Sequence, residues 1–313
     1  MTPLVYVLPG YESLGAALLK DLGADRGDIS VRRFPDGESY IRLLTAPKGR
    51  AVIFVCGLDR PNDKSIELYF AACAAHELGA ASIGVVAPYL AYMRQDARFN
   101  EGEAITSVYF AKWVSQFADW LVTVDPHLHR HSSLDGIYSI PSVVVSSTAA
   151  ISHWIRTQVS NPLIVGPDAE SAQWVEQIAA RVGCPVVVLH KERLGDHEVR
   201  VSLPDIRPWR ECTPVLVDDI VSTARTMLAA IAQLRAASMQ QPPVCIGVHA
   251  LFSADAHAAL LNAGIGRIVT CNTVKHPSNA IDVFPDIANA VRSILQTIGT
   301  AAGSSNGHGT ENS

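Results

Sequence analysis

The sequence predicts an α/β protein with two similar domains, each a mainly parallel sheet flanked by helices. Short apolar runs alternate along the chain with stretches of helical pattern, as expected for parallel strands joined by helical crossovers. A faint internal repeat indicates two domains. Residues 52–86 and 163–189 each follow the order strand, loop with an aspartate, helix, glycine and strand, about 110 residues apart.

The predicted elements follow from these apolar runs and their flanking residues. Strands are expected at residues 4–8, 52–55, 83–86, 120–124, 163–165, 186–189, 215–217, 244–250 and 268–271. Helices are expected at residues 65–78, 105–117, 169–182, 223–237 and 254–263. Helix 65–78 is rich in alanine and is followed by Gly79, a favourable helix-terminating residue. The expected domains are residues 1–145 and 146–298, followed by a disordered Gly- and Ser-rich tail at 299–313.

Composition limits the classes of function. The chain has 313 residues, of which 48% are apolar, and a net charge of −5. Such a charge argues against nucleic-acid binding and against association with an anionic membrane surface. No apolar run reaches the roughly 18 residues of a membrane span. The six cysteines form no C-x-x-C pair and the N-terminus has no basic region, which predicts a reduced, cytoplasmic protein.

The most informative motif spans residues 215–227. An apolar strand leads into Asp218 and Asp219, and a loop of small and hydroxylated residues at 222–226 then opens a helix. Free amide groups and the positive dipole end of a helix suit a phosphate, while adjacent carboxylates can accept hydrogen bonds from sugar hydroxyls. The motif therefore indicates a receptor for a phosphorylated ribose. Alternatively, it is a strand followed by two solvated acids.

Two loops in the first half contain candidate ligands, each with a structural alternative. The turn at residues 33–38 presents Phe34, which can stack on a flat ring, between acidic residues that can contact polar edges; alternatively, it is a hairpin tip. The loop at residues 88–98 follows a strand and contains Arg94 and Arg98, which suit phosphates; alternatively, its aromatic residues make it a packed loop.

Three further loops also follow predicted strands. In the segment 125–131, His127 could bind a metal or a phosphate, or the segment could be a polar subunit contact. Asp168 ends the strand at 163–165, and Lys191 and Arg193 precede a charged, glycine-containing loop that could equally be a solvated surface. Parallel sheets bind ligands at the carboxyl ends of their strands, so the shared position of these loops favours a common site.

Taken in order, these motifs resemble the ribose-phosphate pyrophosphokinase family over roughly residues 4–295. The matching segments are RFPDGE at 33–38, NDKSIEL at 62–68, PYLAYMRQD at 88–96, EAIT at 103–106, DPHLH at 125–129, GPD at 166–168, HKER at 190–193 and VDDIVSTART at 217–226. Type I phosphoribosyltransferases share only the last segment. The resemblance implies two tandem phosphoribosyltransferase-like domains.

The resemblance also implies roles for individual residues. The residues expected to bind ATP are Phe34, Asp36, Gly37, Glu38, Arg94, Gln95, Asp96 and His127. His127 and Asp168 are expected to bind the Mg²⁺ cofactor. Lys191 and Arg193 are the expected catalytic residues. Ribose 5-phosphate binding falls to Arg193, Asp218, Asp219, Ser222, Thr223, Ala224, Arg225 and Thr226.

The implied reaction is transfer of diphosphate from ATP to the C1 hydroxyl of ribose 5-phosphate by a homo-oligomer, a dimer or a hexamer built from dimers. Two residues depart from the glycine-rich phosphate loop of the family. Ala224 fits that loop if its φ is negative, and Arg225 either faces solvent or reaches the phosphate. Two alternatives stay open: a type I phosphoribosyltransferase acting on a base, and a non-catalytic regulatory homologue.

Overall fold

The computed structural model describes residues 2–128, 130–193, 199–202 and 204–305, with no account of side chains at 190–193, 199–202 or 299–305. The chain divides into two units. The first comprises Met1–Val145 with Phe284–Ser313, and the second comprises Ser146–Val283. Each is built on a six-stranded parallel sheet, which confirms the predicted fold class. None of the described helices is both long and apolar enough to cross a membrane.

The first unit contains the sheet β2-β1-β5-β6-β7-β8 and its helices. Its elements are β1 (Leu4–Val7), α1 (Glu12–Leu22), β2 (Asp25–Gly27), β3 (Ile29–Arg33), β4 (Ser39–Leu43), β5 (Ala51–Val55), α2 (Pro61–Glu77), β6 (Ser82–Ala87), α3 (Thr106–Val114), β7 (Trp120–Val124) and β8 (Ser142–Val145). Strand β7 is entirely buried. The indole of Trp120 lies over Gly84 on β6, where an added Cβ would be 1.9 Å from the ring, so this close strand packing requires glycine.

The second unit repeats this plan with the sheet β10-β9-β13-β14-β15-β16. Its elements are α4 (Thr148–Gln158), β9 (Pro162–Gly166), α5 (Ala172–Val182), β10 (Val186–Val188), β11 (His190–Arg193), β12 (Val199–Ser202), β13 (Thr213–Val221), α6 (Arg225–Ala236), β14 (Val244–Ala250), α7 (Ala256–Asn262), β15 (Arg267–Cys271) and β16 (Asn279–Ile281). Strands β9, β13 and β14 pair in parallel register, so their carboxyl ends share one edge of the sheet.

All the predicted strands and helices are present; strands 120–124 and 244–250 have the predicted ends, and the other elements have ends shifted by up to four residues. Elements outside the prediction are mostly short or amphipathic, such as the three-residue strands β2 and β16 and the antiparallel hairpin β3–β4. These short strands and the hairpin lack the continuous apolar run that identifies a buried parallel strand, whereas the parallel strand β8 contains such a run at residues 143–145 and was not predicted.

The predicted end of the second domain is wrong, because the last helix, α8 (Phe284–Ser305), belongs to the first unit. Its buried residues Ile287 and Val291 form part of the core, and the helix contacts α1, β7 and β8. The predicted tail does not begin at residue 299, since the helix continues to Ser305. Residues 306–313 lie outside the described residues.

Candidate active site

In the first unit, two groups of predicted ATP ligands follow neighbouring strands. Strands β6 and β7 pair in parallel, with Ala87 opposite Thr123. Arg94, Gln95 and Asp96 lie in the loop after β6, and His127 lies in the loop after β7. Arg94 is exposed, His127 is half-buried and Asp96 is buried. The sheet therefore places these residues on adjacent loops at one edge.

The remaining predicted ATP ligands lie at the tip of the β3–β4 hairpin, which forms a separate two-stranded sheet. The backbone N–H of Phe34 donates to the carbonyl of Glu38 at 2.8 Å, and Asp36 Oδ1 accepts from the Glu38 N–H at 3.2 Å. Gly37 has a φ of +96°, a conformation that favours glycine. The Phe34 ring is 40% exposed. The hairpin tip expected as the structural alternative is therefore present, and it exposes the Phe34 ring.

In the second unit, the predicted ligand Asp168 and the acidic pair converge. Strand β9 ends before Asp168, and β13 contains Asp218 and Asp219. Removal from water, and then the nearby carboxylates of Asp219 and Asp168, raise the pKa of Asp218 well above its usual range. Three carboxylates in one place are unfavourable unless a cation or hydrogen-bond donors balance them. The arrangement therefore suits a ligand that supplies one or both.

The phosphate-loop candidates Ser222, Thr223 and Ala224 connect β13 to helix α6. The Ala224 carbonyl accepts the first helical hydrogen bond, from Leu228 N–H at 2.8 Å. Its φ is +58°, so the condition of a negative φ, under which alanine would fit this loop without strain, is not met. The left-handed conformation turns the chain sharply from strand to helix. Alanine occupies a backbone shape that glycine adopts without cost, while its methyl group packs in the core, where Ala224 is 5% exposed.

Arg225 and Thr226 form the first turn of helix α6, with Arg225 exposed and Thr226 half-buried. Helix α6 begins at Arg225 and is 12 residues long. Its aligned peptide dipoles give the N-terminal end a positive potential. The free amides of the first turn can therefore receive a phosphate without a contribution from the Arg225 side chain.

The predicted catalytic residues Lys191 and Arg193 lie on strand β11, which pairs antiparallel with β12. Lys191 is opposite Val201 and Arg193 is opposite Val199. Residues 194–198, which join the two strands, lie outside the described residues, as do the side chains of the pair.

Two contacts at these loops were not predicted from the sequence. Ser253, in the loop after β14, donates its backbone N–H to the Ser222 carbonyl at 3.1 Å. Arg130, in the loop after β7, donates from Nη1 to Asp96 Oδ1 at 2.8 Å. Arg130 belongs to a motif that the sequence already marked, but only the fold shows that its partner lies 34 residues away.

Comparison with known proteins identifies the structural class of this chain. A sequence model of the N-terminal domain of ribose phosphate pyrophosphokinase matches residues 5–117, and one of the phosphoribosyl transferase domain matches residues 133–286. The solved phosphoribosylpyrophosphate synthetase of Mycobacterium smegmatis superposes with a TM-score of 0.83, covering 95% of this chain and 100% of that one at 20% identity. The chain is therefore a tandem phosphoribosyltransferase-type α/β protein.

Two relatives with similar sequences identify the family to which the chain belongs. The ribose-phosphate pyrophosphokinase of Sulfolobus acidocaldarius is 34% identical over 84% of this chain and 90% of its own length. That of Methanopyrus kandleri is 31% identical, covering 90% of this chain and 96% of its own. The chain belongs to the ribose-phosphate pyrophosphokinase family.

Proposed function

We infer that the protein transfers the diphosphate group of ATP to the C1 hydroxyl of ribose 5-phosphate, giving AMP and 5-phosphoribosyl 1-diphosphate. The observation that supports this most directly is the junction of β13 and α6, where an acidic pair precedes a phosphate-type loop and a helix N-terminus. Both substrates also follow from membership of the family, whose relatives match along nearly their whole length.

On the sugar side, the amides at the start of α6 and the hydroxyls of Ser222, Thr223 and Thr226 bind the 5-phosphate. Asp218 and Asp219 accept hydrogen bonds from ribose hydroxyls. Because Asp218 is hydrogen-bonded to the Asp219 N–H at 3.0 Å, its carboxylate is fixed before the sugar arrives. Preorganisation of this kind orients the C1 hydroxyl for attack.

On the nucleotide side, Phe34 stacks on the adenine, while Asp36, Gly37 and Glu38 contact its polar edge. Arg94, Gln95 and His127 surround the phosphates. The C1 oxygen attacks the β-phosphorus in line and forms the new phosphorus–oxygen bond, the bond from the β-phosphorus to the α,β-bridging oxygen breaks so that AMP leaves, and the hydroxyl proton passes to water. Lys191 and Arg193 stabilise the negative charge that develops on the oxygens of the transferred diphosphate group. No covalent intermediate with the protein is required.

The described residues contain no cluster of three or more acidic, histidine or cysteine side chains arranged to hold a metal ion, but the carboxylate of Asp168 is compatible with the Mg²⁺ that the family implies. Mg²⁺ prefers carboxylate oxygens and is commonly bound by one or two of them together with substrate phosphates. The raised pKa of Asp218 results in part from Asp168 and Asp219, and a divalent cation would relieve this repulsion. Asp168 would contribute a carboxylate to this ion within the second unit, and His127 of the first unit stays the other metal ligand that the family resemblance implies. When bound, Mg²⁺ neutralises phosphate charge and polarises the phosphorus–oxygen bonds.

We also propose a homo-oligomer and a cytoplasmic location. Residues Cys56, Cys73, Cys184, Cys212, Cys245 and Cys271 are all free thiols, four of them buried, which suits a reducing compartment.

One assay tests the proposed activity. The purified protein is incubated with ATP, ribose 5-phosphate and Mg²⁺, and AMP is measured by chromatography, with a reaction lacking the sugar phosphate as control. Sugar-dependent AMP formation supports the proposal. Nucleotide binding without AMP would instead favour a regulatory homologue, and base-dependent release of diphosphate from 5-phosphoribosyl 1-diphosphate would favour a phosphoribosyltransferase.

A further inference from the structure

Arg130 joins two loops of the first unit through its guanidinium group. Nη1 donates to Asp96 Oδ1 at 2.8 Å, and Cζ lies 4.9 Å from the centroid of the Phe99 ring. Asp96 and Phe99 follow β6, whereas Arg130 follows β7. We call these two contacts the Arg130 bridge. It connects the loop that contains Arg94 and Gln95 with the loop that contains His127.

The Asp96 end of the bridge is buried. Its side chain is 3% exposed, against 49% for Arg130. A carboxylate held out of water needs a charged or hydrogen-bonding partner, and removal of one member of such a pair leaves the other uncompensated. Asp96 is thus held by the protein itself, which suits an internal structural contact better than a direct ligand of ATP.

The Phe99 end of the bridge is exposed but local hydrogen bonds hold it in place. The Phe99 ring is 60% exposed, while its backbone N–H donates to Glu103 Oε2 at 2.8 Å. Asn100 N–H donates to the same oxygen at 3.1 Å, and Arg98 Nε donates to the Glu103 carbonyl at 3.1 Å. The Asn100 side-chain amide, which donates to Glu103 Oε1 at 2.6 Å, and then the N–H groups of Phe99 and Asn100 lower the pKa of the Glu103 carboxyl. The guanidinium therefore lies over a ring whose backbone is held by these bonds, and its 4.9 Å distance from the ring centroid is within the ~6 Å range of a cation–π contact.

We propose that Arg130 is a positioning residue for ATP, which sets the distance between the loop containing Arg94 and Gln95 and the loop containing His127. This inference rests on the proposed function, because it takes both loops to bind the nucleotide. It revises the expected role of Asp96, which acts through Arg130 and not on ATP directly. Arg130 itself contacts no substrate in this scheme.

The test combines steady-state kinetics with a double-mutant cycle. Arg130→Ala should raise the KM for ATP about tenfold, since residues of one network are coupled by energies of this order, and leave the KM for ribose 5-phosphate unchanged. Arg130→Lys should recover part of the loss, because it keeps the charge beside Asp96 but not the planar stack. Asp96→Asn combined with Arg130→Ala should be no worse than the more damaging single variant.

A matched control is Arg26→Ala, which removes an arginine paired with Asp28 at 3.3 Å but 76% exposed. Its KM for ATP should equal that of the wild type. An unchanged KM for ATP in Arg130→Ala would overturn the proposal. Additive effects of Asp96→Asn and Arg130→Ala on this KM would also overturn it, because Asp96 would then be an independent ligand of ATP. Should Arg130→Ala not fold, Arg130→Lys and Asp96→Asn still decide between these outcomes.

The bridge and the proposed function fail in different ways. Failure of the wild-type protein to form AMP would refute the function. Direct ATP binding to the same variants by calorimetry then tests the bridge, which requires a matching rise in Kd for Arg130→Ala. If the wild type is active and the KM for ATP is the same in all variants, only the proposed role of the Arg130 bridge is refuted. A wild type that binds no ATP would overturn both.

Discussion

Arg33 and Glu67 join the β3–β4 hairpin to helix α2. Nη2 of Arg33 lies 3.0 Å from Glu67 Oε1, and Nε lies 3.3 Å from the same oxygen. The Glu67 side chain is 8% exposed. Hydrogen bonds to Glu67 and then to Asp63 raise the pKa of Arg33. Since Phe34 is the next residue, this contact fixes the base of the turn that we propose to face the adenine.

Glu67→Gln should therefore weaken ATP binding while leaving ribose 5-phosphate binding intact. The substitution keeps the shape of the side chain but removes the buried charge opposite Arg33. We expect the KM for ATP to rise roughly fivefold, the effect of losing one well-placed ion pair. Asp63→Asn is the control, because its side chain is 66% exposed and water can replace it. Equal effects of the two substitutions would contradict the role of Glu67.

Ala224→Gly should leave stability nearly unchanged. Glycine relieves the left-handed strain, worth about 1–2 kcal/mol, but loses a buried methyl worth roughly 0.8 kcal/mol and adds roughly 0.5–1 kcal/mol of chain entropy. Ala230→Gly, fully buried within helix α6, has no strain to relieve and should cost about 2 kcal/mol. Urea denaturation compares the two. Comparable losses would show that the conformation of Ala224 is not strained.

Asp218→Asn should make the second unit more stable at neutral pH. The folded state raises the pKa of Asp218, so folding takes up a proton. The free energy of unfolding then falls as pH rises from the unfolded value of about 3.9 through the raised folded value. Asparagine removes this charge, and thermal unfolding should shift upward by ~2–4 °C and lose part of its pH dependence. A lower melting temperature at neutral pH would contradict this account.

The same Asp218→Asn substitution should impair the sugar side of the reaction. A charged hydrogen bond to a ribose hydroxyl contributes about 1.5–3 kcal/mol, so the KM for ribose 5-phosphate should rise tenfold or more. The KM for ATP should change less. Equal changes in both constants would argue against a sugar-binding role, because loss of a shared structural element would affect both substrates.

Arg225→Gly tests whether the arginine in the phosphate loop is a ligand. Arg225 is exposed at the first turn of α6, and the helix amides can serve the phosphate alone. We expect an unchanged or slightly lower KM for ribose 5-phosphate. An arginine at this end also opposes the helix dipole by about 0.3–1 kcal/mol. A tenfold rise in that constant, with ATP unaffected, would make Arg225 a substrate ligand.

Lys191→Ala should abolish most turnover without loss of folding. If Lys191 stabilises charge in the transition state, its removal should lower kcat by roughly 10²–10⁴-fold. ATP affinity measured by calorimetry should stay near that of the wild type, and circular dichroism should show an unchanged fold. Turnover close to the wild-type value would remove Lys191 from the catalytic machinery.

The fold class, the buried strands and the loops that contain the candidate ligands could be predicted from local sequence patterns. These follow from short-range rules. Buried parallel strands such as β5 and β7 require continuous apolar runs, and parallel sheets gather ligands at their carboxyl ends. The strand–acid–loop–helix order around Asp218 is likewise local, so it could be identified without coordinates.

The contacts between residues that are distant in the sequence could be learned only from the three-dimensional packing. The last helix joins the first unit because its apolar face packs on α1 and the edge of that sheet, a contact that periodicity cannot assign. The pairs Arg33–Glu67 and Arg130–Asp96 each span more than 30 residues. The positive φ of Ala224 contradicts its local preference, because the β13–α6 turn and the surrounding core fix its backbone. Such contacts depend on packing between elements, which a linear pattern does not specify.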